Sequence, residues 1–540
     1  MLIPGSSYEK IYRAFRWQVP ARYNMAVDVC DRHAGRKNDP ALIYLDGSGR
    51  ETRYSFDDIK RYSSQFAHTL EAHEVRRGDR VGILLPQCPE TAIAHVGCYR
   101  MGAVALPLFT LFGEEALAYR LQDSGARALV TDAANLPKIV AIRDRLPELA
   151  TLILIDGPGG DLEFWPALQR ARADYPPLDT AADDPALLIY TSGTTGPPKG
   201  ALHGQRVLLG HIPSMEWYHE FYPQPGDLFW TPADWAWIGG LMDVLAPAWY
   251  YGLPVLAFRA RKFDPEEAFA MIARYRVRNM FLPPTALKLM RQVENPRSRY
   301  DYSIRTIFSG GETMGEELLD WGRQNLGVTI NEGYGQTEYN LAIGNCARVM
   351  PVRPGSMGRA IPGHIVEIID DAGNVLPPGQ VGHIAFKLPH PVAMLEYWQR
   401  PEATRDKVIG GWMVSGDQGR KDEEGYFWFL GRVDDVIISA GYRIGPGEIE
   451  DCLIRHPAVS MAAVVGAPDP LRNEVVKAFI VLKPGCQPSE SLAADIQQYV
   501  KTRLAAHEYP RLIEFIDELP LTATGKIRRK VLRERELDRK

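Results

Sequence analysis

Residues 190–200 read Tyr190-Thr191-Ser192-Gly193-Thr194-Thr195-Gly196-Pro197-Pro198-Lys199-Gly200, and this segment predicts more about the fold than any other. Its three glycines let backbone N–H groups turn towards one anion, four serine and threonine hydroxyls add hydrogen-bond donors, and Lys199 adds a compact positive charge. The apolar run before it, residues 185–190, predicts a buried strand. The loop is therefore expected at the carboxyl end of that strand, where α/β sheets bind their ligands. Together these features predict a polyphosphate-binding loop in an α/β fold.

Two alternatives for this loop fit less well. It is not a Walker A motif, because Gly200 rather than serine or threonine follows Lys199. A flexible Gly/Thr connector would rarely place aromatic, hydroxyl, proline and lysine residues in this order. The segment instead resembles, nearly residue for residue, the phosphate loop of the adenylate-forming enzymes, a superfamily of acyl-CoA synthetases, peptide-synthetase adenylation domains and luciferases. The resemblance predicts further motifs along the chain, and several are present.

The composition is that of an ordinary globular protein with more than one domain. The chain has 540 residues, whereas single hydrophobic cores stop growing near roughly 250–300 residues. Its 62 basic and 67 acidic residues give a net charge of −5, which argues against a nucleic-acid partner. No apolar stretch approaches the roughly 18 residues of a membrane span, and the N-terminus lacks the pattern of a secretory signal.

Cysteine and histidine spacing bears on compartment and metal content. The six cysteines are scattered without a CxxC pair, so they are expected to be free thiols in a reducing cytoplasm. The twelve histidines include no HExxH pair, so no transition-metal site is expected. We therefore expect a cytoplasmic protein; no oligomeric state follows from the sequence.

Alternating strand and helix patterns predict the architecture. Apolar runs at 80–86, 102–108, 128–131 and 152–155 alternate with helical patterns, which is typical of βαβ units in largely parallel sheets. Near residues 358–388 the pattern changes to short strands separated by turns, which indicates a β-rich subdomain.

The predicted fold class is α/β, with two domains. Residues 1–433 are expected to form a large N-terminal domain of stacked, mostly parallel sheets with helices and a small β-rich subdomain. Residues 434–540 are expected to form a small, mobile α+β domain, a length that suits an independent unit. The boundary rests mainly on the resemblance, because composition alone marks it poorly.

A second motif, Asn331-Glu332-Gly333-Tyr334-Gly335-Gln336-Thr337-Glu338, fits a nucleotide base and an α-phosphate. Its two glycines bracket an aromatic ring, so a flat base could lie against Tyr334 without crowding from a Cβ. Thr337 can donate to a phosphate, and Glu338 can bind Mg²⁺, which prefers oxygen ligands and few protein carboxylates. Alone, the motif could be a turn that exposes a tyrosine. It resembles the adenine and α-phosphate motif of the superfamily, and Ser309-Gly310-Gly311-Glu312 resembles the segment on the other face of the adenine.

The third signature is Val414-Ser415-Gly416-Asp417, followed by Gly431-Arg432-Val433-Asp434-Asp435. A Gly-Asp pair alone is weak evidence, because most such pairs are turns. By resemblance, Asp417 and Arg432 match residues that contact the ribose of the nucleotide. Asp434 matches the hinge about which the small domain rotates.

The fourth signature, Thr522-Ala523-Thr524-Gly525-Lys526, resembles the segment of the catalytic lysine, which reaches the acyl carboxylate and the α-phosphate. A lone lysine in a turn is usually a solvated charge. The prediction rests on the preceding Pro520-Leu521, the TxTGK frame and the helical pattern at 527–536. The resemblance also implies that a lysine acetyltransferase and a deacetylase could act on Lys526, since acetylation removes its charge.

Later segments indicate which thiol accepts the acyl group. Ser439-Ala440-Gly441-Tyr442-Arg443-Ile444-Gly445-Pro446, together with residues 469–479 and 509–511, resembles the medium-chain acyl-CoA synthetases, relatives of acetyl-CoA synthetase. The resemblance implies that Arg443 helps to bind the nucleotide or CoA. It also implies that four residues face CoA: Gly441, Tyr442, Arg472 and Arg511. Arginine side chains suit the phosphates of CoA, although Arg472 and Arg511 could simply be exposed.

Two segments bear on the size of the acid. Gly335 stands where acetate-specific relatives have a tryptophan, which predicts an acid larger than acetate. Residues 235–240, Trp-Ala-Trp-Ile-Gly-Gly, resemble the segment that lines the acyl group, with Trp237 and Ile238 as apolar surfaces and Gly239 as another absent side chain. The two tryptophans could equally be packed core. Medium-chain, branched and aromatic acids all stay open.

The motifs together predict an ATP-dependent acid–thiol ligase. The carboxylate attacks the α-phosphorus of ATP to give an acyl-adenylate and pyrophosphate, and CoA then takes the acyl group and releases AMP. Mg²⁺, Lys199 and Lys526 neutralise the converging anions, and Thr337 contacts the α-phosphate. One alternative is an adenylating ligase that loads a carrier protein. Another is a non-catalytic nucleotide sensor, which would be expected to lack Lys526, Glu338 or Asp417.

Overall fold

The computed structural model describes residues 2–5, 7–36, 39–191, 197–258, 263–311, 314–432, 435, 437–439, 442–469, 473–503, 509–522 and 526–537. The chain divides into two compact units. The first unit comprises residues 1–354, 358–365 and 387–407, and the second comprises residues 355–357, 366–386 and 408–540. The second unit thus contains the predicted C-terminal domain together with β-rich segments that precede it. The predicted boundary at residue 434 stays a prediction, since residues 433 and 434 lie outside the described residues.

The strands of the described residues are, in chain order, β1 Pro40–Leu45, β2 Glu51–Ser55, β3 Arg80–Leu84, β4 Val104–Pro107, β5 Ala128–Thr131, β6 Thr151–Leu154, β7 Leu162–Glu163, β8 Pro185–Thr191, β9 Lys199–Gly204, β10 Phe229–Trp230, β11 Val255–Phe258, β12 Asn279–Phe281, β13 Thr306–Gly310, β14 Asn331–Gln336, β15 Tyr339–Gly344, β16 Ser356–Ala360, β17 Val366–Ile369, β18 Val381–Lys387, β19 Glu396–Tyr397, β20 Val408–Ile409, β21 Trp412–Lys421, β22 Phe427–Arg432, β23 Ile437–Ser439, β24 Tyr442–Ile444, β25 Val459–Asp469, β26 Asn473–Leu482 and β27 Leu512–Phe515.

The α-helices are α1 Tyr8–Ala14, α2 Met25–Val29, α3 Phe56–Ala72, α4 Pro89–Met101, α5 Glu114–Ser124, α6 Leu136–Ile142, α7 Phe164–Arg170, α8 Val207–Tyr218, α9 Ile238–Gly240, α10 Ala246–Tyr250, α11 Pro265–Tyr275, α12 Pro284–Met290, α13 Pro296–Arg299, α14 Glu316–Trp321, α15 Pro401–Asp406, α16 Pro446–Ile454, α17 Glu490–Lys501 and α18 Arg529–Leu537. Short 3₁₀ turns lie at Asp31–His33 and Arg143–Arg145, and π-helical turns at Leu241–Leu245 and Gly322–Leu326.

The first unit contains two sheets, both mostly parallel as predicted. One sheet has the strand order β19-β9-β8-β4-β3-β5-β6-β7, in which only the pairs β8–β9 and β9–β19 are antiparallel among the described pairs. The other runs β15-β14-β13-β12-β10-β11-β1-β2, with β1–β2 and β14–β15 antiparallel. The four predicted strands correspond to β3–β6. Helices connect β3 to β4, β4 to β5 and β5 to β6, which is the expected βαβ arrangement.

Local sequence explains where these helices begin and end. Helix α3 starts with a capping box, in which the Ser55 side chain accepts from Asp58 N and the Asp58 side chain accepts from Ser55 N. Helix α4 begins at Pro89 and ends at Gly102, whose φ of 70° is the left-handed conformation that glycine adopts readily. The helical residues of α4 are almost all buried, which fits a helix packed on more than one side.

The second unit contains two smaller sheets. Strands β17, β18, β21 and β22 form an antiparallel set, with β20 paired to β21. The other sheet has the order β24-β23-β26-β25, with β27 parallel to β26. Apolar residues of α16, α17 and this second sheet share a buried core. Both the predicted β-rich segment and the predicted α+β segment are therefore present.

Two further findings concern the described residues as a set. No helix among them combines the length and apolar character required to cross a bilayer. All six cysteines are free thiols, and Cys486 alone among them is not buried.

Candidate active site

The ends of the predicted phosphate loop are fixed by a strand pair. Strands β8 and β9 are antiparallel, with Thr191 opposite Lys199, and Thr191 Oγ1 donates to Lys199 O at 3.3 Å. The Tyr119 hydroxyl donates to Pro198 O at 3.0 Å. The loop thus starts at the carboxyl end of β8, as predicted. Residues 192–196, which carry Ser192, Gly193, Thr194, Thr195 and Gly196, lie outside the described residues.

The predicted base and α-phosphate motif forms an antiparallel strand pair with a tight turn. Asn331–Gln336 is β14, and Thr337 and Glu338 form the turn into β15. Glu332 is 3% exposed and Glu338 is 8% exposed, whereas Tyr334 is half-buried. The turn therefore holds a threonine hydroxyl and a nearly buried carboxylate beside one another.

The two glycines of this motif have a different physical reason from the predicted one. A Cβ on Gly333 would lie 2.2 Å from the Tyr218 hydroxyl, and a Cβ on Gly335 would lie 2.1 Å from Leu341 N. Protein atoms, not free space, fill both positions. The expectations that these glycines make room for a base and that Gly335 opens the acyl pocket are thus corrected: the close approach of Tyr218 and of β15 requires them.

The structure also describes Gln336 of this motif and Gly311 of the segment predicted to line the other face of the adenine. Gln336 Oε1 accepts from Lys407 Nζ at 3.0 Å. Gly311 follows β13 with a φ of 94°, which favours glycine, and Glu312 lies outside the described residues.

Tyr397 joins the phosphate loop to the Thr337–Glu338 turn, and sequence reasoning missed it. Its hydroxyl donates to Glu338 Oε1 at 2.5 Å, and Lys199 Nζ lies 5.3 Å from the centre of its ring. Strand β19 holds the residue in place, because Tyr397 pairs with Ala201 of β9. No motif marks a single tyrosine in a two-residue strand, so only the fold brings these three side chains together.

The fit to Mg²⁺ can be tested on Glu338. No cluster of three or more His, Cys, Asp or Glu ligands occurs among the described residues. Mg²⁺ at phosphate sites commonly takes one or two carboxylates and completes its shell with phosphate oxygens and water. A single, nearly buried carboxylate, linked through Tyr397 to Lys199 of the predicted phosphate loop, fits that pattern.

The predicted acyl segment carries an aromatic row. Trp235 is fully buried, while Trp237 is half-buried and its ring centre lies 5.6 Å from that of Phe281. Phe281 stacks on Phe308 at 5.0 Å, and Phe308 stacks on Tyr218 at 4.1 Å. Trp235 is thus core, which was the open alternative for it, and Trp237 remains able to contact an acyl group.

Ile238 and Gly239 complete the predicted segment. Ile238 is 3% exposed, and a Cβ on Gly239 would lie 2.8 Å from Phe281 Cε1 and 3.5 Å from Asp243 Oδ2. The expectation of empty space at Gly239 is therefore corrected as well. The missing side chain lets an aromatic ring and a buried carboxyl group approach the backbone.

The second unit holds the predicted ribose pair. Asp417 of β21 stands opposite Arg432 of β22, and Arg432 Nε lies 3.6 Å from Asp417 Oδ1. Asp417 N donates to Ser415 Oγ at 3.0 Å. The structure therefore brings Asp417 and Arg432 together, with the Asp417 carboxylate nearly buried.

Lys526 is hydrogen-bonded to Thr522 in the same unit. Its backbone N donates to Thr522 Oγ1 at 3.0 Å, and Thr522 N donates to Lys526 O at 2.7 Å. An isolated bridge between Leu521 and Ile527 continues the pairing. The Lys526 side chain is exposed.

The predicted CoA residues are described only in part. Arg511 is exposed, its guanidinium lies 5.2 Å from the Tyr509 ring centre, and its backbone N donates to Val476 O. Tyr442 and Arg443 pair through their backbones with β23, while their side chains are not described. Asp434, Gly441 and Arg472 lie outside the described residues.

Comparison with known proteins adds independent information. The profile of the family described as AMP-binding enzyme matches residues 30–398, and the profile described as AMP-binding enzyme C-terminal domain matches residues 448–526. Acyl-coenzyme A synthetase ACSM3, mitochondrial, of Mus musculus is 37% identical, covering 98% of this chain and 93% of that protein. Acetyl-coenzyme A synthetase of Bacillus subtilis (strain 168) is also 37% identical, covering 98% and 95%. The crystal structure of the anthranilate CoA ligase AuaEII in complex with anthranoyl-AMP matches at a TM-score of 0.87 and 31% identity, covering 96% of this chain and 98% of that one.

Proposed function

This chain belongs to the AMP-binding enzyme family and is an AMP-forming acyl-CoA ligase, and we propose that its acid is larger than acetate, with an aromatic acid as the best fit. The observation that carries the proposal is the half-buried Trp237 ring beside Phe281, on the segment that resembles the acyl lining. Aromatic rings favour stacked or edge-on contacts with other rings. The similarity to a ligase crystallised with anthranoyl-AMP, an aromatic acyl-adenylate, supports the same choice.

The first step of the reaction brings two anions together, the carboxylate of the acid and the α-phosphate of ATP. ATP and CoA are substrates, and the reaction proceeds through an acyl-adenylate. In the first step a carboxylate oxygen bonds to the α-phosphorus while the bond to pyrophosphate breaks. In the second step the CoA sulfur bonds to the acyl carbon while the bond to AMP breaks. Barriers to such steps fall when positive groups and hydrogen-bond donors are fixed where charge accumulates.

We assign these tasks to named residues. Lys199 and the loop 191–198 hold the terminal phosphates, and Thr337 donates to the α-phosphate. Glu338 would hold Mg²⁺, which supplies charge neutralisation on phosphate oxygens when bound. Tyr397 orients both Lys199 and Glu338, as its two contacts support.

The second unit contributes the remaining groups. Asp417 accepts from the ribose hydroxyls, and Arg432 lies beside that carboxylate, with its Nε 3.6 Å from Asp417 Oδ1. Lys526 approaches the acyl carboxylate and the α-phosphate during adenylation. Gly441, Tyr442, Arg443, Arg472 and Arg511 are assigned to the CoA-binding state by resemblance, and rotation of the C-terminal domain about Asp434 is part of the same proposal.

Two smaller proposals concern the protein in the cell. A cytoplasmic location stays a prediction; the Mus musculus relative is named as mitochondrial. Acetylation of Lys526 is proposed because its side chain is exposed, so that a modifying enzyme can reach it.

The test is AMP and pyrophosphate release with ATP and Mg²⁺ across acetate, hexanoate, decanoate, isobutyrate and benzoate, with and without CoA. CoA-dependent turnover that peaks beyond acetate supports the proposal, and a peak at benzoate supports the aromatic assignment. A peak at acetate would overturn the size assignment. Thioester formation on a carrier protein but not on CoA would contradict the assignment of CoA as the acyl acceptor.

A further inference from the structure

Three buried polar side chains, Asp243, Asn340 and His211, form a cluster beside the predicted acyl segment; we call it the Asp243 cluster. Asp243 is 2% exposed, Asn340 5% and His211 fully buried. Asn340 Nδ2 lies 2.8 Å from Asp243 Oδ1 and 2.9 Å from His211 Nε2. The cluster joins three elements of the first unit: the π-helical turn after α9, strand β15 and helix α8.

The hydrogens of the cluster follow from its partners. His211 Nδ1 lies 2.8 Å from Val207 O, which can only accept, so Nδ1 carries the proton and Nε2 accepts. Burial lowers the pKa of His211 to about 4, which keeps the ring neutral near pH 7. The Asn340 amide therefore uses one hydrogen on His211 and the other on Asp243 Oδ1. Asn340 thus fixes the Asp243 carboxyl group through Oδ1, and His211 fixes Asn340.

That second oxygen faces the acyl segment. Asp243 Oδ2 lies 3.5 Å from the position that a Cβ on Gly239 would take, beside the Phe281 ring. No hydrogen bond from the described part of the chain reaches Oδ2. Trp237, two residues before Gly239, contacts the same Phe281 ring. An aromatic wall and an available carboxyl oxygen thus share one side of the predicted acyl segment.

The contacts within the Asp243 cluster account for only one oxygen of this carboxyl group. A buried carboxyl that lacks a full set of partners costs free energy, and a well-packed apolar residue at such a position is commonly neutral or stabilising. Burial raises the pKa of Asp243 well above its ordinary value. π-helical turns occur frequently at functional sites, and Asp243 lies in one at Leu241–Leu245. A substrate group that pairs with Oδ2 would account for the residue.

Resting on the proposed ligase function, we propose that Asp243 binds the acid substrate directly and selects an aromatic acid that carries a hydroxyl or amino group. A hydroxyl group suits the site whether Asp243 is ionised or protonated, because it can donate to a carboxylate or accept from a carboxylic acid. An amino group can donate to the ionised form. Trp237 and Phe281 contact the ring, and Asn340 and His211 act as positioning residues that fix the carboxyl group.

The experiment compares matched acids on the full-length enzyme. CoA-dependent AMP formation is measured for benzoate and for the ortho, meta and para hydroxybenzoates and aminobenzoates, and kcat/KM is compared for each acid with benzoate. We expect at least one substituted acid to exceed benzoate by about 100-fold, since a site built for a donor group rejects analogues that lack it. In Asp243→Leu the same ratio should fall to about one or below.

Controls separate the cluster from general damage. Glu216→Gln removes a different buried carboxylate, which pairs with Leu2 N and the Tyr251 hydroxyl, and it should leave the ratio as in wild type. Asp243→Asn keeps a polar group and should retain part of the preference. If Asp243→Leu does not fold, the wild-type ratio and the Asp243→Asn ratio decide the matter by themselves.

The outcomes distinguish the two proposals. A kcat/KM for benzoate at least equal to that for every substituted acid, or an unchanged ratio in both Asp243 variants, would overturn the role of Asp243 while leaving the ligase intact. No CoA-dependent AMP formation from any acid would instead contradict the proposed function.

Discussion

Tyr397 carries the most direct residue-level prediction, because it touches two predicted catalytic groups at once. A hydrogen bond to a charged group contributes about 1.5–3 kcal/mol, and Tyr397 donates one to Glu338. We expect Tyr397→Phe to lower kcat/KM for adenylation by about 10- to 100-fold and to raise the Mg²⁺ concentration needed for half-maximal rate. ATP–pyrophosphate exchange over a Mg²⁺ titration measures both.

A matched variant tests whether the effect is local. Tyr175→Phe removes a comparable hydroxyl, which donates to Glu71 at 3.3 Å on an exposed part of the first unit. It should leave the exchange rate and its Mg²⁺ dependence at wild-type values. If Tyr397→Phe lowered the rate with an unaltered Mg²⁺ midpoint, the link from Tyr397 to the metal ligand would be wrong.

Asp234 gives a pH-dependent prediction at the same scale. Burial raises the pKa of this carboxyl group to about 6, while its side chain accepts from Ala236 N at 2.8 Å. The folded state therefore binds a proton that the unfolded state releases, so this contribution to stability is present below pH about 4 and is lost as pH rises to about 6. The free energy of unfolding of Asp234→Asn, relative to that of wild type, should therefore rise by up to about 3 kcal/mol as pH increases across that window.

Unfolding by urea at pH 4, 5, 6 and 7 measures the difference between the two proteins. Asp46→Asn serves as a control of opposite sign, because a hydrogen bond from Ser48 lowers the pKa of Asp46 to about 2. That carboxylate stabilises the fold above its unfolded pKa, and the contribution is lost as pH falls. A constant difference between wild type and Asp234→Asn from pH 4 to 7 would rule out a proton held on Asp234.

At the level of elements, the β14–β15 pair shows how far the sequence could lead. The motif at 331–338 predicts a turn that contacts phosphate and metal; the structure places Thr337 and Glu338 in a turn, and their ligands stay a prediction. The reason for Gly333 and Gly335 could not be predicted, since it depends on Tyr218 and Leu341, which approach from elsewhere in the fold. Periodic apolar runs likewise predict β3–β6. Residues whose proposed roles depend on single long-range contacts, such as Tyr397 and Asp243, carry no local pattern.

The same strand pair predicts a strong effect of one methyl group. In Gly335→Ala the new Cβ meets the backbone of Leu341, which cannot move without shifting β15. Overpacking of this kind costs about 1–3 kcal/mol, and we expect loss of adenylation along with that destabilisation. Gly113→Ala is the matched change, because nothing lies within 4 Å of its Cβ position and its φ is −78°. Thermal unfolding and ATP–pyrophosphate exchange are measured for both variants. Equal stability of Gly335→Ala and Gly113→Ala would show that β15 moves to accommodate the new Cβ at no cost.

Helices α16 and α18 of the second unit are joined by an ion pair that crosses between them. Arg529 Nη2 lies 2.5 Å from Glu450 Oε2, and the Glu450 side chain is 10% exposed. Arg529 Nη1 also lies 3.7 Å from Asp435, which Arg533 contacts as well. Removing one partner of a buried pair leaves the other charge uncompensated, so Arg529→Met should destabilise the fold by about 3 kcal/mol.

The neighbouring residue supplies the control for that element. Lys530 pairs with Glu534 at 3.7 Å and is 54% exposed, so Lys530→Met should change stability by less than about 0.5 kcal/mol. Chemical denaturation followed by circular dichroism measures both variants. A loss of similar size in the two would mean that the Arg529 pair is no better than a surface contact.

At the scale of the whole molecule, the predicted catalytic residues are divided between the two units. Lys199, Thr337 and Glu338 belong to the first unit, whereas Asp417 and Lys526 belong to the second. Sequence motifs could identify each group because each lies within a short segment. The allocation of residues 366–386 and 408–433 to the second unit could not be read from composition, because it depends on strand pairing such as β17 with β18 and β21 with β22.

This division predicts that the two half-reactions can be separated by a change in the second unit. Lys526 is assigned to charge neutralisation during adenylation, and removal of one such group typically costs about 100- to 1000-fold in rate. Lys526→Ala should therefore lose ATP–pyrophosphate exchange by that factor. Because the supplied acyl-adenylate already contains the bond that Lys526 helps to form, its conversion with CoA should proceed within about threefold of wild type. Single-turnover thioester formation measures the second step. Lys530→Met is the control: it should leave the rates of adenylation and thioester formation unchanged if the effect belongs to Lys526 rather than to the basic segment around it. Equal loss of both rates in Lys526→Ala would assign Lys526 to thioester formation as well.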